Sequence, residues 1–175
     1  MSPGSVRQYV TFFLMGEEYA VELPRVREII AYEPVTCVPS MPPVVRGVIN
    51  LRGQVVPVVD LPVKFGQAET PVGEGTYMVI LDLSWSGESV RLGVLTRTLG
   101  QVIDLEDDQI KPVPDFGTRV RAEYLKGLGW VESRFVLLME VDHLLSPAEL
   151  LRITALEDPG LPPMPTPPSQ GEVAG

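Results

Sequence analysis

Residues 46–61 read RGVINLRGQVVPVVDL, two short runs of Val, Ile and Leu with an Arg-Gly pair at each end of the first run. Apolar runs of this kind are typical of buried β-strands. A buried guanidinium without a partner costs several kcal/mol of folding free energy. The side chains of Arg46 and Arg52 are therefore predicted to be paired, to lie at a rim, or to await a binding partner.

The rest of the chain repeats this pattern of short apolar runs. Its 175 residues are 45% hydrophobic, and 16 Gly and 18 Pro residues separate the runs. Ten short strands are predicted, which favours a β-sandwich or β-barrel. These strands are YVTFFLM (9–15), EYAVEL (18–23), VTCVP (35–39), GVINL (47–51), VVPVVDL (55–61), TYMVILDL (76–83), VRLGVL (90–95), GQVIDL (100–105), LKGLGW (125–130) and FVLLMEV (135–141).

One short helix is predicted near residues 24–31. Pro24 suits the first turn of a helix, because its missing N–H would have no partner there. Val26, Ile29 and Ile30 then follow the i, i+3, i+4 spacing of an apolar helix face. The segment is long enough for about two turns of helix.

A second helix is predicted near residues 147–157. Ser146 suits the N-cap and Glu149 follows three residues later, which together form a capping box. Pro159 ends this helix, and residues 158–175 are rich in Pro with little apolar bulk. That tail is predicted to be disordered or polyproline-like rather than folded.

The order of motifs repeats weakly between the two halves of the chain. Two similar units of about five strands are predicted, at about residues 6–66 and 75–145, each too small to bury a core well alone. The corresponding residues are Tyr9 and Tyr77, Pro39 and Pro114, Gly47 and Gly127, and Asp60 and Asp142. Packing the units together would create a shared interface with a groove at its edge.

Charge and hydropathy exclude several classes of protein. The net charge is −9, and the 14 basic residues are scattered singly, which argues against binding to a phosphate backbone. No run of 18 apolar residues occurs, and the first residues lack the apolar region of a signal peptide. These features predict a soluble, cytoplasmic chain that does not insert into a membrane and does not bind nucleic acid.

No pattern of catalytic residues stands out. His143 is the only histidine, and a surface position beside the C-terminal helix explains it better than a role as general base. The acidic residues 104–108 lack the ligand alternation of a calcium loop, so a solvated turn is predicted there. Turn or cap hydrogen bonds would account for Asp60 and Asp142. The chain is predicted not to be an enzyme and to hold no metal or cofactor.

The single cysteine, Cys37, lies between apolar neighbours in VTCVP. Without a second cysteine it cannot form a disulfide within the chain or a thiolate metal site. A buried structural thiol is favoured over a reactive one.

Several motifs in order resemble the CheW-like family of chemotaxis coupling proteins. They are Y-x-x-F from Tyr9 to Phe12, then EEYAVEL, VREI, GVINLRG followed by VVPVVDL, and EYLKGLGWVESRFVLLMEVDHLL. The combination of GVINLRG and VVPVVDL is specific, and the resemblance covers about residues 6–151. It implies a mainly β fold of two five-stranded, SH3-like β-barrel subdomains packed together, with the C-terminal helix beside them.

The resemblance also implies a function. Members of this family are scaffolds without catalysis, metal or nucleotide. They link the cytoplasmic tips of methyl-accepting chemoreceptors to the regulatory domain of the histidine kinase CheA, are recruited to receptor arrays at the membrane, and can associate with one another there. Two alternatives stay open. One is an adaptor of a different receptor-kinase pathway, such as motility or developmental signalling, and the other is a barrel that binds a small ligand.

The residues predicted to contact receptor or kinase follow from the resemblance and from the apolar pattern. They are Val26, Glu28, Ile29, Arg52, Leu99 and Val102. Glu28 and Arg52 are predicted to pair across the groove between the subdomains, with a purely structural ion pair as the alternative. For Val26 and Ile29 the alternative is core packing.

The glycines Gly47, Gly53 and Gly127 are predicted to lie in structural turns. Arg46-Gly47 has a counterpart at Lys126-Gly127, so it is interpreted as repeated turn architecture. Arg52 has no counterpart in the second unit and is the better candidate for function. Thr96-Arg97 stands where the family carries an apolar residue and an acid, and this charge reversal leaves the identity of the partner open.

Overall fold

The computed structural model describes residues 6–113 and 122–155. Most of these residues lie in strands, which confirms the mainly β prediction. The strands are β1 (Val6–Leu14), β2 (Glu17–Glu22), β3 (Val26–Ala31), β4 (Val45–Leu51), β5 (Gln54–Val59), β6 (Tyr77–Trp85), β7 (Glu88–Thr96), β8 (Thr98–Glu106), β9 (Ile110–Lys111), β10 (Leu125–Val131) and β11 (Arg134–Met139). The helices are α1 (Leu61–Lys64) and α2 (Pro147–Thr154), with 3-10 turns at Leu23–Arg25, Asp107–Gln109, Ala122–Tyr124 and Val141–His143.

The strands form two sheets of matching design. One sheet has the order β8-β1-β2-β11-β10-β9, and the other has the order β3-β6-β7-β5-β4. Each sheet contains one parallel pair at its centre, β2 with β11 and β5 with β7, and its other pairs are antiparallel. The first sheet has a sixth strand because the two-residue β9 follows β8 after a 3-10 turn. The two sheets form two β subdomains.

The repeats exchange their first hairpins. The hairpin β1-β2 comes from the first half of the chain but pairs with β8 and β11, and the hairpin β6-β7 comes from the second half but pairs with β3 and β5. The sheets therefore differ from the units of about 6–66 and 75–145 predicted from the repeat. The order of motifs in the sequence shows which strand of one repeat is equivalent to which strand of the other. It does not show which strands are hydrogen-bonded to each other.

The largest apolar core lies between the two sheets. In β11, Val136 and Leu138 belong to a cluster formed by the six-stranded sheet alone, whereas Leu137 and Met139 belong to the cluster shared by both sheets. A separate cluster, including Val56 and Met78, belongs to the five-stranded sheet alone. The central strands are thus buried on both faces, which explains why runs such as residues 55–59 are continuously apolar.

The prediction of a helix near residues 24–31 is wrong. Only Leu23–Arg25 forms a 3-10 turn, which holds Pro24, and Val26–Ala31 is strand β3. The β-branched residues Val26, Ile29 and Ile30 favour extended backbone. Their helix-like spacing has a different origin, a β-bulge described below.

The prediction of a strand over VTCVP is also wrong. Only Thr36 pairs there, in a single bridge with Val48. Prolines on both sides of this segment lack the N–H that a ladder needs. Cys37 is exposed rather than buried, and its segment is irregular apart from the bridge to the edge strand β4.

The predicted C-terminal helix is confirmed as α2. The Ser146 side chain accepts a hydrogen bond from the Glu149 backbone N–H, and the Glu149 carboxylate accepts one from the Ser146 N–H. Leu150 and Ile153 are buried in the core between the sheets. The predicted Pro-rich tail, residues 158–175, lies outside the described residues.

Gly47 and Gly127 lie in strands rather than in turns. Each occupies a register shift, in β4 and β10 respectively. A Cβ on Gly47 would lie 2.5 Å from the Thr36 carbonyl oxygen, and one on Gly127 would lie 3.0 Å from that of Lys111. Close backbone approach therefore requires these two glycines. Gly53 does lie in a turn, between β4 and β5, with φ of 86°.

Candidate functional site on two bulged edge strands

All the predicted contact residues except Arg52, which lies in the turn between β4 and β5, fall on two strands that hold equivalent places in the two sheets. β3 is an edge strand of the five-stranded sheet, and β8 is an edge strand of the six-stranded sheet. Each is paired with the first strand of an exchanged hairpin, β6 or β1. Both edge strands also carry a one-residue β-bulge, where two residues face one on the partner strand.

The bulge in β8 brings Leu99 and Val102 to one face of the sheet. Leu99 lies opposite Phe12 and Val102 lies opposite Val10. Directly opposed residues share a face, and Val10 and Phe12, two positions apart in β1, share a face as well. In a regular strand, residues three positions apart would point to opposite faces.

The bulge in β3 has the same effect on Val26 and Ile29. Val26 lies opposite Leu81 and Ile29 lies opposite Val79, so that Arg27 is the extra residue. Leu81 and Val79 both belong to the core between the sheets, and Val26 and Ile29 therefore point to that same face. The i, i+3 spacing in the sequence reflects this bulge and not a helix.

Each pair combines an anchored residue with an exposed one. Val26 and Leu99 are partly buried and pack against the core between the sheets. Ile29 is 37% exposed and Val102 is 53% exposed. Core packing thus accounts for half of each pair and leaves one aliphatic side chain per edge strand available for contact.

Glu28 and Arg52 form the predicted ion pair, 2.5 Å apart from Nη2 to Oε2. Its location differs from the prediction. Glu28 lies on β3 and Arg52 lies in the turn between β4 and β5, so the pair joins an edge strand to a hairpin turn of the same sheet rather than joining the two sheets. The Arg52 side chain is 67% exposed, and solvent screens such a pair strongly.

Arg46 has a different environment from Arg52. Its guanidinium lies 2.7 Å from the carboxylate of Asp60, which is fully buried. The same carboxylate accepts hydrogen bonds from the backbone N–H and the hydroxyl of Thr70. This buried network is structural, and it was missed because Arg46 was interpreted as part of a turn. A buried Asp at a strand end, 14 positions after an Arg in an apolar run, is the signal that could have revealed it.

Asp142, the counterpart of Asp60 in the repeat, also binds an arginine. Arg25 donates two hydrogen bonds to it, at 2.8 and 2.7 Å, and the backbone N–H of Ser84 donates a third. The hydrogen bond from Arg25 holds the pKa of Asp142 below its ordinary value. The guanidinium also donates to the Asp82 carbonyl of β6. Arg25, which lies in the crossover between β2 and β3, therefore binds both β6 and the last 3-10 turn.

The departure from the family pattern at Thr96-Arg97 lies at the crossover between the sheets. Thr96 is fully buried, and its hydroxyl lies 2.8 Å from the Phe13 carbonyl oxygen and 3.1 Å from that of Thr98. Arg97 is exposed beside a surface groove of about 430 Å³ that Phe13 and Pro62 also line. The threonine is thus a structural residue, whereas the arginine adds positive charge next to the start of β8.

Within residues 6–113 and 122–155, no group of three or more His, Cys, Asp or Glu side chains could hold a metal ion.

Over the same described residues, no helix has the length and apolar character needed to cross a membrane.

Comparisons with known proteins agree with this architecture. The CheW-like domain model matches residues 8–149. The chemotaxis protein CheW of Klebsiella aerogenes is 35% identical over 82% of this chain and 84% of that protein. The chemotaxis protein CheW of Treponema pallidum is 28% identical over 85% of this chain and 88% of its own length.

A solved structure supports the fold. The crystal structure of scaffolding protein TtCheW from Thermoanaerobacter tengcongensis superposes with a TM-score of 0.72 at 22% sequence identity, covering 85% of this chain and 93% of that one. The family model covers most of the chain, and the relative from Klebsiella aerogenes matches it over most of both lengths. The chain therefore belongs to the CheW-like family of chemotaxis scaffold and adaptor proteins.

Proposed function

We propose that the chain couples the cytoplasmic tips of methyl-accepting chemoreceptors to the regulatory domain of a CheA-like histidine kinase. The observation that carries this proposal is the pair of equivalent edge strands, each of which presents one anchored and one exposed aliphatic side chain on the same face. An amphipathic helix docks through apolar residues that recur every three or four positions. A receptor tip, which is a helical hairpin, offers such a row to Ile29 and Val102.

The ion pair beside β3 lies on the other face of this edge strand from the apolar contact residues. Glu28 is opposite Ile80, which belongs to the core of the five-stranded sheet alone, whereas Val26 and Ile29 point to the core between the sheets. A screened pair of this kind contributes only about 0–1 kcal/mol to stability. Its value lies in orienting a charged partner and rejecting others.

The role is non-catalytic in this proposal. The shifted pKa values of Glu18 and Asp142 are explained first by hydrogen bonds from the structural arginines Arg134 and Arg25. Asp142 also lines a surface groove of about 360 Å³ beside α2, but its carboxylate is already bound by Arg25 and by the Ser84 N–H. No cofactor, metal or nucleic acid takes part in the mechanism.

The adaptor acts by holding receptor and kinase in a fixed relative geometry. Each contact is modest in area, and multivalency within an array strengthens it. Self-association of CheW-like domains extends the array. We propose that the chain works in the cytoplasm and is recruited to the membrane by its receptors.

Charge substitutions on the exposed aliphatic residues test this assignment. Val102→Asp and Ile29→Asp are expected to weaken binding of a soluble receptor-tip fragment by at least about tenfold, because each places a carboxylate in an apolar contact. Val72→Asp is the matched control, since Val72 is 40% exposed on a loop outside both edge strands. Binding is measured by titration calorimetry, and kinase activity is measured in a reconstituted set of receptor, kinase and adaptor.

The same experiment separates the competing assignments. Wild-type protein that neither binds any chemotaxis receptor fragment nor raises kinase activity would favour an adaptor of a motility or developmental pathway. Equal loss of binding in Val102→Asp and Val72→Asp would show that the edge strands are not the contact surface.

A further inference from the structure

The bulge in β8 depends on Thr11 and Gly100, neither of which is among the predicted contact residues. Thr11 of β1 lies opposite both Gly100 and Gln101. Its side chain is fully buried, and its Oγ1 accepts a hydrogen bond of 2.9 Å from the Gln101 backbone N–H. The threonine hydroxyl thus accepts the hydrogen bond of the Gln101 N–H, which the bulge takes out of the regular backbone pairing with β1.

Gly100 is required at this position by space. A Cβ built on it would lie 1.9 Å from Thr11 Oγ1 and 2.9 Å from the Thr11 carbonyl oxygen. No side chain fits there while the threonine hydroxyl keeps its place. Thr11 and Gly100 are therefore complementary: the hydroxyl fills the space that the missing side chain leaves.

Glu18 of β2 is a charged neighbour of Thr11 on the same face of the sheet, because Thr11 lies opposite Ala20, two positions from Glu18. Arg134 of β11 binds the Glu18 carboxylate at 2.6 and 3.1 Å and is the main cause of its lowered pKa, to which Thr11 also contributes. Thr11 thus lies between the ion pair that joins β2 to β11 and the bulge in β8.

The bulge decides the direction in which the contact residues point. Leu99 and Val102 are three positions apart, and only the extra residue between them lets both face the same way. If β8 paired regularly with β1 from Val102 toward its start, Leu99 would turn away from the face that Val102 occupies.

We propose that Thr11 and Gly100 are positioning residues that set the aliphatic pair Leu99 and Val102 for a helical partner. This inference rests on the proposed function, because the partner is the receptor helix described above. It adds that the affinity for this helix depends on a buried hydroxyl on a neighbouring strand. The ridge of the helix must present an apolar side chain to Val102, which lies beside the anchored Leu99.

Thr11→Val and Thr11→Ser test the inference together. Valine keeps the branched shape but cannot accept the Gln101 N–H, whereas serine keeps the hydroxyl acceptor. Thr11→Val is expected to weaken binding of the receptor-tip fragment by about tenfold, and Thr11→Ser to restore affinity to within about twofold of wild type. Urea unfolding confirms that each variant is folded under the binding conditions, and Thr11→Ala replaces Thr11→Val if the valine variant does not fold.

A double-mutant cycle shows whether Thr11 acts through the pair. In the Leu99→Ala/Val102→Ala background, Thr11→Val is expected to cause no further loss of binding. A full additional tenfold loss there, or unchanged affinity in Thr11→Val alone, would overturn the inference.

The geometry has a readout that needs no partner. Nuclear Overhauser contacts of the Leu99 and Val102 methyl groups with Phe12 and Val10 are expected in wild type and Thr11→Ser, and those of Leu99 are expected to disappear in Thr11→Val. Wild-type protein with these contacts but without receptor binding would refute the proposed function, and the contacts in the valine variant would still decide the role of Thr11. Persistence of all contacts in Thr11→Val would contradict that role.

Discussion

At the scale of single residues, β4 has no room for a side chain at Gly47. A Cβ there would lie 2.5 Å from a backbone oxygen of Thr36, which cannot rotate away. Gly47→Ala is therefore expected to lower the free energy of unfolding by about 2–3 kcal/mol, the upper range for overpacking. Urea unfolding followed by circular dichroism measures the loss.

Gly53→Ala is the matched control for this substitution. Gly53 has φ of 86°, but no atom lies within 4 Å of the position that an alanine methyl group would occupy, so only the left-handed backbone opposes alanine. That strain costs about 1 kcal/mol. Equal losses at the two positions would show that conformation, and not the approach of Thr36, explains the glycine in β4.

The two arginines of residues 46–61 show how far residue chemistry can be predicted from sequence. The rule that a guanidinium must be paired or exposed holds for both, since Arg46 binds buried Asp60 and Arg52 binds partly exposed Glu28. The pairing of Glu28 with Arg52 was predicted. The partner of Arg46 was not, because Arg46 was assigned to a turn and Asp60 to turn or cap hydrogen bonds.

At the scale of elements, α2 depends on its capping box. Ser146→Ala removes the acceptor for the Glu149 N–H and is expected to lower the free energy of unfolding by about 1 kcal/mol. The loss reaches the whole fold because Leu150 and Ile153 pack in the core between the sheets. Ser146→Asp keeps an acceptor and is expected to stay within a few tenths of a kcal/mol of wild type. Thermal unfolding of both variants checks the difference.

The contrast between α2 and β3 shows why one helix was predicted correctly and the other was not. The signals for α2 are local, since Ser146 and Glu149 bond each other's backbone. The signal for residues 24–31 was the three- and four-residue spacing of apolar side chains. A bulged strand produces the same spacing, because Val26 and Ile29 share a face. Periodicity cannot separate a helix from a bulge, whereas the β-branched composition of this segment points to a strand.

At the scale of the whole molecule, the bond between Arg25 and Asp142 fastens the crossover between the sheets to the end of the fold. Asp142→Asn removes the charge and is expected to lower the free energy of unfolding by about 1–2 kcal/mol at pH 7. Asp104→Asn is the control, because among the described residues exposed Asp104 accepts a single side-chain hydrogen bond, of 3.2 Å from Gln8 on the neighbouring strand.

The pH dependence of this loss has a defined sign. The pKa of Asp142 is lower in the folded state, chiefly through Arg25, so its contribution to stability is complete above the pKa of the unfolded chain. The contribution disappears as the pH falls through the folded pKa. The difference between wild type and Asp142→Asn is therefore expected to be constant near neutral pH and to shrink below about pH 4. A difference that grew on acidification would contradict this account, and urea titrations from pH 7 to pH 3 provide the measurement.

The exchange of hairpins between the repeats also constrains how the protein can be made. On a ribosome, the hairpin β1-β2 emerges first, but its neighbour β8 begins only at Thr98 and its neighbour β11 only at Arg134. At about 5–20 residues per second, the hairpin waits roughly ten seconds for its last partner strand. Its apolar face is exposed to chaperones throughout that interval. The five-stranded sheet has all its strands once β7 has emerged, whereas the six-stranded sheet can be completed only once β11 has left the ribosome.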